Sequence, residues 1–576
     1  MSAQRLVRTM VASCLALVLA GCASLPTSGP VQSEERRTYD ENQSRVMIVP
    51  EPPPQGAIPF NIVTGFLTAM AGVDPGYATA REYLTTDAAA AWNPASGVLI
   101  YAGGTTPSVN GDQVIMSGAV VGSLGADGAF VASEDRTWTH DFKMVMQDGE
   151  WRISNPPPGL AVSEYMFNQG FTRVDTYFFP AGGKTLVPDP RYVLSGAWNR
   201  TTAARMVLAG PSTWLRAVTG QAGGVTLAGD VTMTNQGVAD VPLSAGARDL
   251  SEEDATALAV EIAATMRSVN GVSRVRLVCD GDYLPVRAGW PDSSFPLSGV
   301  DAYDRARPGP PQVLLSVQNN LVVRQAGAST APVAGDWGST PRAMTSLGSN
   351  ADQTQIAAVT ADGLLAGPLG ADPPVPRLPL PGLLRPQYDT SGNIWTVGSA
   401  DSAVYVVGPQ SYHQVDTSAL AGLRIEAFQV SSDGRRIVIA GRTAGPDESR
   451  QEIGVALIAY TDDQPAAIIA WKPIRLSWDG AAFGSVRDVS WLGPSSLLVL
   501  GSSSASPPGV FDTDIDGLDV NDRGYPPLAG TLSQLAVHVT DTGAQVMALD
   551  EQGTIWSYQD PLRWTRAGGP ASAVAF

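Results

Sequence analysis

"LLRPQYDTSGNIWTVGSADSAVYVVG" occupies residues 383–408, and its reading decides the fold of the C-terminal half. Two short runs of β-branched and aromatic residues, Ile394 to Val397 and Val404 to Val407, are separated by polar turns carrying Gly, Ser and Asp. That pattern marks paired strands. The same plan recurs in "MTSLGSNADQTQIAAVTADGLLAG", "IEAFQVSSDGRRIVIAG", "VRDVSWLGPSSLLVLGS" and "LSQLAVHVTDTGAQVMALDEQGTIWSYQ". The units begin near Met344, Leu383, Ile425, Val486 and Leu532, at spacings of 39, 42, 61 and 46 residues. Strand repeats of this period indicate propeller blades, each too small to bury its faces without neighbours. The expected domain covers residues 305–576 with five or six blades, and "VLLSVQNNLVVRQ" and "RWTRAGGPASAVAF" are candidates for the blade that closes the ring.

Working upstream, residues 172–285 read as a separate α+β unit. "VDTYFFPAGGKTLVPDPRYV" is a hairpin-like strand pair, and "TTAARMVLAGPSTWL" a short helix ended by Gly210-Pro211. In "LSEEDATALAVEIAATMRSVNGV", Ser251 and Asp254 make a capping-box pattern, and Leu258, Ile262 and Met266 then repeat on one face. Val275, Leu277 and Cys279 alternate into a strand, which puts Cys279 on the core face as a small hydrophobe. Residues 58–165 form a second α+β unit, with helical spacing of Phe60, Val63, Phe66 and Met70 followed by strands. Asp148-Gly149 supplies the turn of its last hairpin, "HDFKMVMQDGEWRI".

At the N-terminus, Arg5 and Arg8 precede an apolar run from Met10 to Ala20 that is too short to span a bilayer as a helix. Residues 1–21 therefore read as a signal peptide. Leu19-Ala20-Gly21-Cys22 resembles the bacterial lipobox, whose cysteine thiol takes a diacylglyceryl group, so Cys22 is the expected lipidation site. Residues 22–57, rich in Pro and Ser, read as a tether. A tract of that length reaches about 35 Å as flexible coil and roughly 100 Å in polyproline geometry. The chain has only three cysteines, Cys14, Cys22 and Cys279, so no disulfide framework is available to an exported protein.

With 576 residues and a net charge of −18, the chain is multidomain and acidic, which argues against nucleic acid as a partner. Its three histidines, His140, His413 and His538, lie in different segments without metal-ligand spacing. No nucleophile elbow, phosphate loop or dinucleotide fingerprint is present. An enzyme is not expected. One acidic stretch stands out: "DTDIDGLDVNDRG", residues 512–524. Asp512, Asp514 and Asp516 followed by Gly517 reproduce the first half of a calcium loop, but Arg523 stands where a bidentate Glu belongs. The leading expectation is a solvated acidic loop between blades, the alternative a weak calcium site on these aspartates.

The order lipobox, tether, α+β unit, α+β unit, propeller resembles the actinobacterial LpqB lipoprotein family, most closely in "LRPQYDTSGNIWTVG", residues 384–398. The first unit is similar to the nuclear-transport-factor-like cone, and the second, with "RMVLAGP" and its acid-capped helix, to the GerMN domain. The resemblance implies a non-catalytic lipoprotein on the outer face of the cell membrane. Its implied partner is the extracytoplasmic sensor domain of a histidine kinase in a two-component system, and its implied setting is cell-wall homeostasis and division. The competing reading is a wall scaffold binding peptidoglycan or another glycan, for which Trp214, Trp290 and Trp337 are the candidate stacking residues.

Overall fold

The computed structural model describes residues 49–576, apart from 73–74, 134–135, 220–223, 287–289, 305–309, 327–328, 371, 444–449, 528–529, 541–542 and 560–561. The signal peptide, Cys22 and most of the expected tether lie outside the described residues.

The first domain is built on helix α1 (Pro59–Met70), whose Ile62, Val63, Phe66, Leu67, Ala69 and Met70 are all buried. Proline at its first position costs no hydrogen bond, because that amide has no helical partner. The buried face lies on a six-stranded sheet in which β1 (Val98–Tyr101) pairs with β2 (Gln113–Leu124) and, in parallel, with β3 (Leu160–Ser163). Phe66 packs against Trp92 and Phe142 at centroid distances of 5.4 and 6.5 Å. The hairpin expected at Asp148-Gly149 is present, with both residues at positive φ.

A long hairpin opens the second domain: β4 (Phe171–Phe178) pairs in continuous register with β5 (Val187–Leu194). Helix α2 (Arg200–Leu208) follows, and the chain then turns at Gly210, with φ of 86°. Helix α3 (Glu252–Thr265) starts as its sequence requires: the Ser251 hydroxyl accepts from the Asp254 amide at 3.1 Å and donates to the Asp254 carboxylate at 2.7 Å. Its apolar residues close over the parallel pair β6 (Val238–Leu243) and β7 (Arg274–Cys279). On β7 the residues Val275, Leu277 and Cys279 face inward, and Cys279 is buried as a free thiol.

The C-terminal region is propeller-like. Among the described residues six sheets follow one another, five of four strands and one of five. The first (Leu314–Gln318, Leu321–Ala326, Ser329–Pro332) takes its innermost strand, Ala573–Ala575, from the end of the chain. The others span 346–378, 387–415, 423–473, 477–522 and 532–568. Their innermost strands touch in a closed cycle, the last returning to the first. Six apolar clusters fill the spaces between neighbouring sheets, one per pair. In "RIVIAG" of the fourth sheet, Ile437 and Ile439 face the third sheet, while Val438 and Ala440 face the fifth. A strand covered on both sides reads as an unbroken apolar run rather than as alternation.

The 61-residue interval from Ile425 to Val486 has a physical cause. The outer strands of the fourth sheet, Gln451–Thr461 and Gln464–Pro473, are 11 and 10 residues long and turn at Asp462-Asp463, both at positive φ. Leu457 on this extension belongs to the core of the second domain, and Ile469 and Ala470 pack against that core.

Candidate functional site

The stretch from Asp512 to Asp516 is placed at the meeting point of the second domain and the propeller-like region. It ends the strand Ser506–Asp514 of the fifth sheet and turns at Gly517, whose φ is 74° and whose amide donates to the Asp514 carbonyl at 2.9 Å. The three carboxylates serve three different cations. Asp512 accepts from Arg523 Nε at 2.5 Å, Asp514 from Arg173 Nη1 at 2.6 Å, and Asp516 from Lys472 Nζ at 2.7 Å. Arg523, the residue that breaks the calcium pattern, is thus the partner of Asp512. Among the described residues, no group of three or more Asp, Glu, His or Cys side chains is placed to hold a metal. Asp514 and Asp516 join the fifth sheet to the second domain and to the fourth sheet, and with Asp516 3 % exposed the stretch is not the solvated loop its sequence suggests.

Arg173 comes from β4 of the second domain, and its Nη2 also reaches Asp175 at 3.2 Å and the Ser495 carbonyl at 3.4 Å. Lys472 stands 5.6 Å from the Trp214 ring centroid, and Trp214 Nε1 donates to the Ala470 carbonyl at 2.6 Å. Burial pushes the Asp514 carboxyl up to about 7; the pull of Arg173 downward is outweighed with help from Asp516, Asp519 and Asp175. Asp516 is 3 % exposed, and its Oδ2 has no hydrogen-bond partner.

On β5 of the same hairpin, Arg191 is 1 % exposed and pairs with Asp189 at 2.6 Å. Its Nη1 donates to the carbonyl of Asp127, in the first domain, and the Nη2 that pairs with Asp189 also donates to the carbonyl of Gly210. Asp189 in turn accepts from the Ser212 amide and hydroxyl. Leu518, just beyond the aspartate stretch, packs against the core of the first domain. One hairpin therefore contacts all three parts of the chain. Sequence reasoning identified the hairpin but not this role, because the partners of Arg173 and Arg191 lie up to 341 residues away.

The axis of the ring is closed by a similar device. Arg385 donates to the Leu535 carbonyl at 2.6 Å and to Asp488 at 3.0 Å, while Asp488 accepts from the Leu535 amide at 2.7 Å. The remaining cavity there, lined by Gln387, Gln429, Ser490 and Phe576, holds about 70 Å³, room for a few waters.

The stretch that decided the fold has a structural chemistry of its own. Asp389 accepts from the amides of Ser391 and Asn393, from Asn393 Nδ2 and from Trp395 Nε1, all at 2.8–3.0 Å. Asp550 in the sixth sheet repeats this with Gln552, Thr554 and Trp556. The shared pattern Asp-x-x-Gly-x-Ile-Trp, at 389–395 and 550–556, is a turn anchored on a buried indole.

The histidines are structural. Nε2 of His140, His413 and His538 each lies 2.8 Å from a main-chain carbonyl, which can only accept, so each ring donates from that nitrogen. Of the candidate stacking residues, Trp337 is fully buried, Trp214 is held in the interdomain contact, and Trp290 is half-buried against Phe295 at 5.3 Å. Full burial removes Trp337 from any role on the surface.

Three family descriptions match consecutive parts of the chain: "Lipoprotein LpqB, N-terminal domain" over residues 52–168, "Sporulation and spore germination" (Germane) over 175–284, and "Lipoprotein LpqB beta-propeller domain" over 320–573. A protein of Cutibacterium acnes named lipoprotein LpqB is 29% identical over 99% of this chain and 98% of its own length. A Streptomyces avermitilis protein of the same name is 28% identical over 94% of this chain and 93% of its own. Among solved structures, a chain of a nidogen/laminin complex covers 46% of this chain and 97% of itself at 10% identity and a TM-score of 0.32.

Proposed function

We propose that this chain, which belongs to the LpqB lipoprotein family, is a non-catalytic regulator that binds the extracytoplasmic sensor domain of a histidine kinase and thereby serves cell-wall homeostasis and division. Cys22 carries the lipid that holds it on the outer face of the membrane; no helix among the described residues is long and apolar enough to cross one. The N-terminal domain is a cone similar to the nuclear-transport-factor fold, and the six sheets are six blades of a propeller.

The observation that carries the non-catalytic part is the use made of the reactive side chains. The histidines bond carbonyls, and the Arg–Asp pairs around Arg173, Arg191 and Arg385 bond blades and domains to one another. Catalysis needs a group held near a cavity with its proton or lone pair directed into it. Such side chains here are turned inward as fasteners, which suits a chain whose output is a contact surface.

Photo-crosslinking in intact cells tests the reading. Removing the propeller would strip Leu457 from the Germane core, so surface substitutions are preferable to truncation. Tyr412 and Val375 are exposed apolar residues on the propeller, 47 % and 42 % accessible. The expected result is capture of a sensor kinase by the native chain and its loss in Tyr412→Asp with Val375→Asp, or in Cys22→Ala, which would release the protein from the membrane. Capture of wall glycan alone, with no kinase in any sample, would sink the proposal and favour the scaffold.

A further inference from the structure

The two faces of the sixth sheet are unlike. Its outer strands run Ile555–Gln559 and Arg563–Gly568. Trp556 and Trp564 are buried in the core shared with the fifth sheet, and Tyr558 packs against them. The opposite face, towards the first sheet, carries Ser557, Gln559 and Thr565, with Met547 beside Ser557 on the next strand inward. Strands covered on both sides are expected to be apolar on both. Here the apolar packing against the first sheet stops at Met547, Ala567 and Phe576. Beyond it the two sheets leave a cavity of about 490 Å³, open to solvent. Small-molecule sites occupy about 300–1,000 Å³.

Glutamines fix the walls. Gln545 accepts from the Gln312 amide at 2.8 Å and donates to the Gln312 carbonyl at 3.1 Å, and Gln325 donates to the Ala567 carbonyl at 2.6 Å. Main-chain groups that an added peptide strand would use are thereby taken. What faces the cavity is side-chain chemistry: the hydroxyls of Ser557 and Thr565, and Gln559, whose Nε2 donates to Ser557 at 3.1 Å and whose oxygen stays open. Arg566, beside the bulge in the outermost strand, lines the same cavity; it is exposed and has no ion-pair partner among the described residues. No side chain lining the cavity is acidic, although the chain carries 55 acidic residues. The main-chain oxygen of Phe576 is taken by the Ser349 hydroxyl.

We propose that this cavity between the sixth and first sheets binds an N-acylated saccharide that carries a carboxylate. Hydroxyls and an amide that can both give and accept match the hydroxyls of a sugar ring. Met547 and Phe576 supply a floor for the acyl methyl and the apolar edge of the ring. Arg566 meets the carboxylate through a charge-assisted hydrogen bond. The site stands whether or not the chain also contacts a kinase.

Calorimetric titration of the full chain tests it with three probes. N-acetylmuramic acid has the acyl, hydroxyl and carboxylate groups, N-acetylglucosamine lacks the carboxylate, and an acetylated Ala, Glu, Ala tripeptide amide has the charge without the sugar. The acidic sugar should bind about tenfold tighter than the neutral one, and the tripeptide not at all. Arg566→Gln should erase that tenfold difference and leave the neutral sugar's binding as it was. Gln559→Leu with Thr565→Val should weaken both sugars by about tenfold. Arg566 and Gln559 are exposed, so both can be changed without touching a core. No heat from either sugar at about 10 mM overturns the proposal. So does a preference for the carboxylate that survives Arg566→Gln, or tighter binding of the tripeptide. Should the double variant fail to fold, the Arg566→Gln result decides alone.

Discussion

Replacing Asp389 by alanine should open the third sheet from its turn. The carboxylate accepts four hydrogen bonds, and their fates differ. Trp395 is fully buried, so its indole N–H would find neither carboxylate nor water, at about 1–3 kcal/mol. The Ser391 and Asn393 amides lie at a turn open to water and would lose about 0.5–1 kcal/mol each. Together these come to about 2–5 kcal/mol, or a fall of some 30- to 5000-fold in the local closing equilibrium. Hydrogen exchange of the full chain reads this directly in the amides of Ile394–Val397, which pair with Val404–Val407. Asp389→Asn keeps an oxygen for the two turn amides but turns an NH₂ towards the indole, and should cost about half as much. A loss of protection under about threefold in Asp389→Ala would refute the assignment of Asp389 as the anchor of this turn.

Trp214→Ala removes the bond to Ala470, the face beneath Lys472 and packing against both the Germane core and the core between the fourth and fifth sheets. About 2–4 kcal/mol should be lost, seen in calorimetry as a propeller transition separating from that of the Germane domain. In Glu261, whose carboxylate accepts from the Phe179 amide at 2.8 Å, burial pushes the carboxyl up to about 7 against that bond. The folded domain then holds a proton that the unfolded chain gives up near 4.5, so its stability should be highest in mild acid and fall by about 1.4 kcal/mol from pH 6 to pH 8. Thiol labelling of buried Cys279 reports this, and Glu261→Gln should abolish the slope. Asp550 goes the other way: burial alone would raise its carboxyl, but Trp556 and the turn amides hold it below the ordinary range. The sixth sheet should therefore lose protection only as the pH drops below about 4, and less so in Asp550→Asn.

What was legible in the sequence was local or periodic. Ser251 announced the start of α3 because a capping box is closed within one turn. The strand pairs of the propeller announced themselves because each is a hairpin of neighbours, and the long interval at the fourth sheet was visible before its use was. Cys279 declared its burial through alternation along β7. Residues brought together across the fold were not legible. The spacing of Asp512, Asp514 and Asp516 is compatible with a cation loop, and nothing near them reveals that Arg523, Arg173 and Lys472 will arrive from 11, 341 and 44 residues away. Nor could composition separate Trp337, sealed in a core, from a tryptophan on the surface.

The sequence by itself determined the modules, their order and most of their strands, since hydrophobic period and turn chemistry act over a few residues. Only the tertiary structure decided which charges meet. A carboxylate's partner is set by where two distant backbones are pressed together, and its proton affinity by how much water that contact excludes.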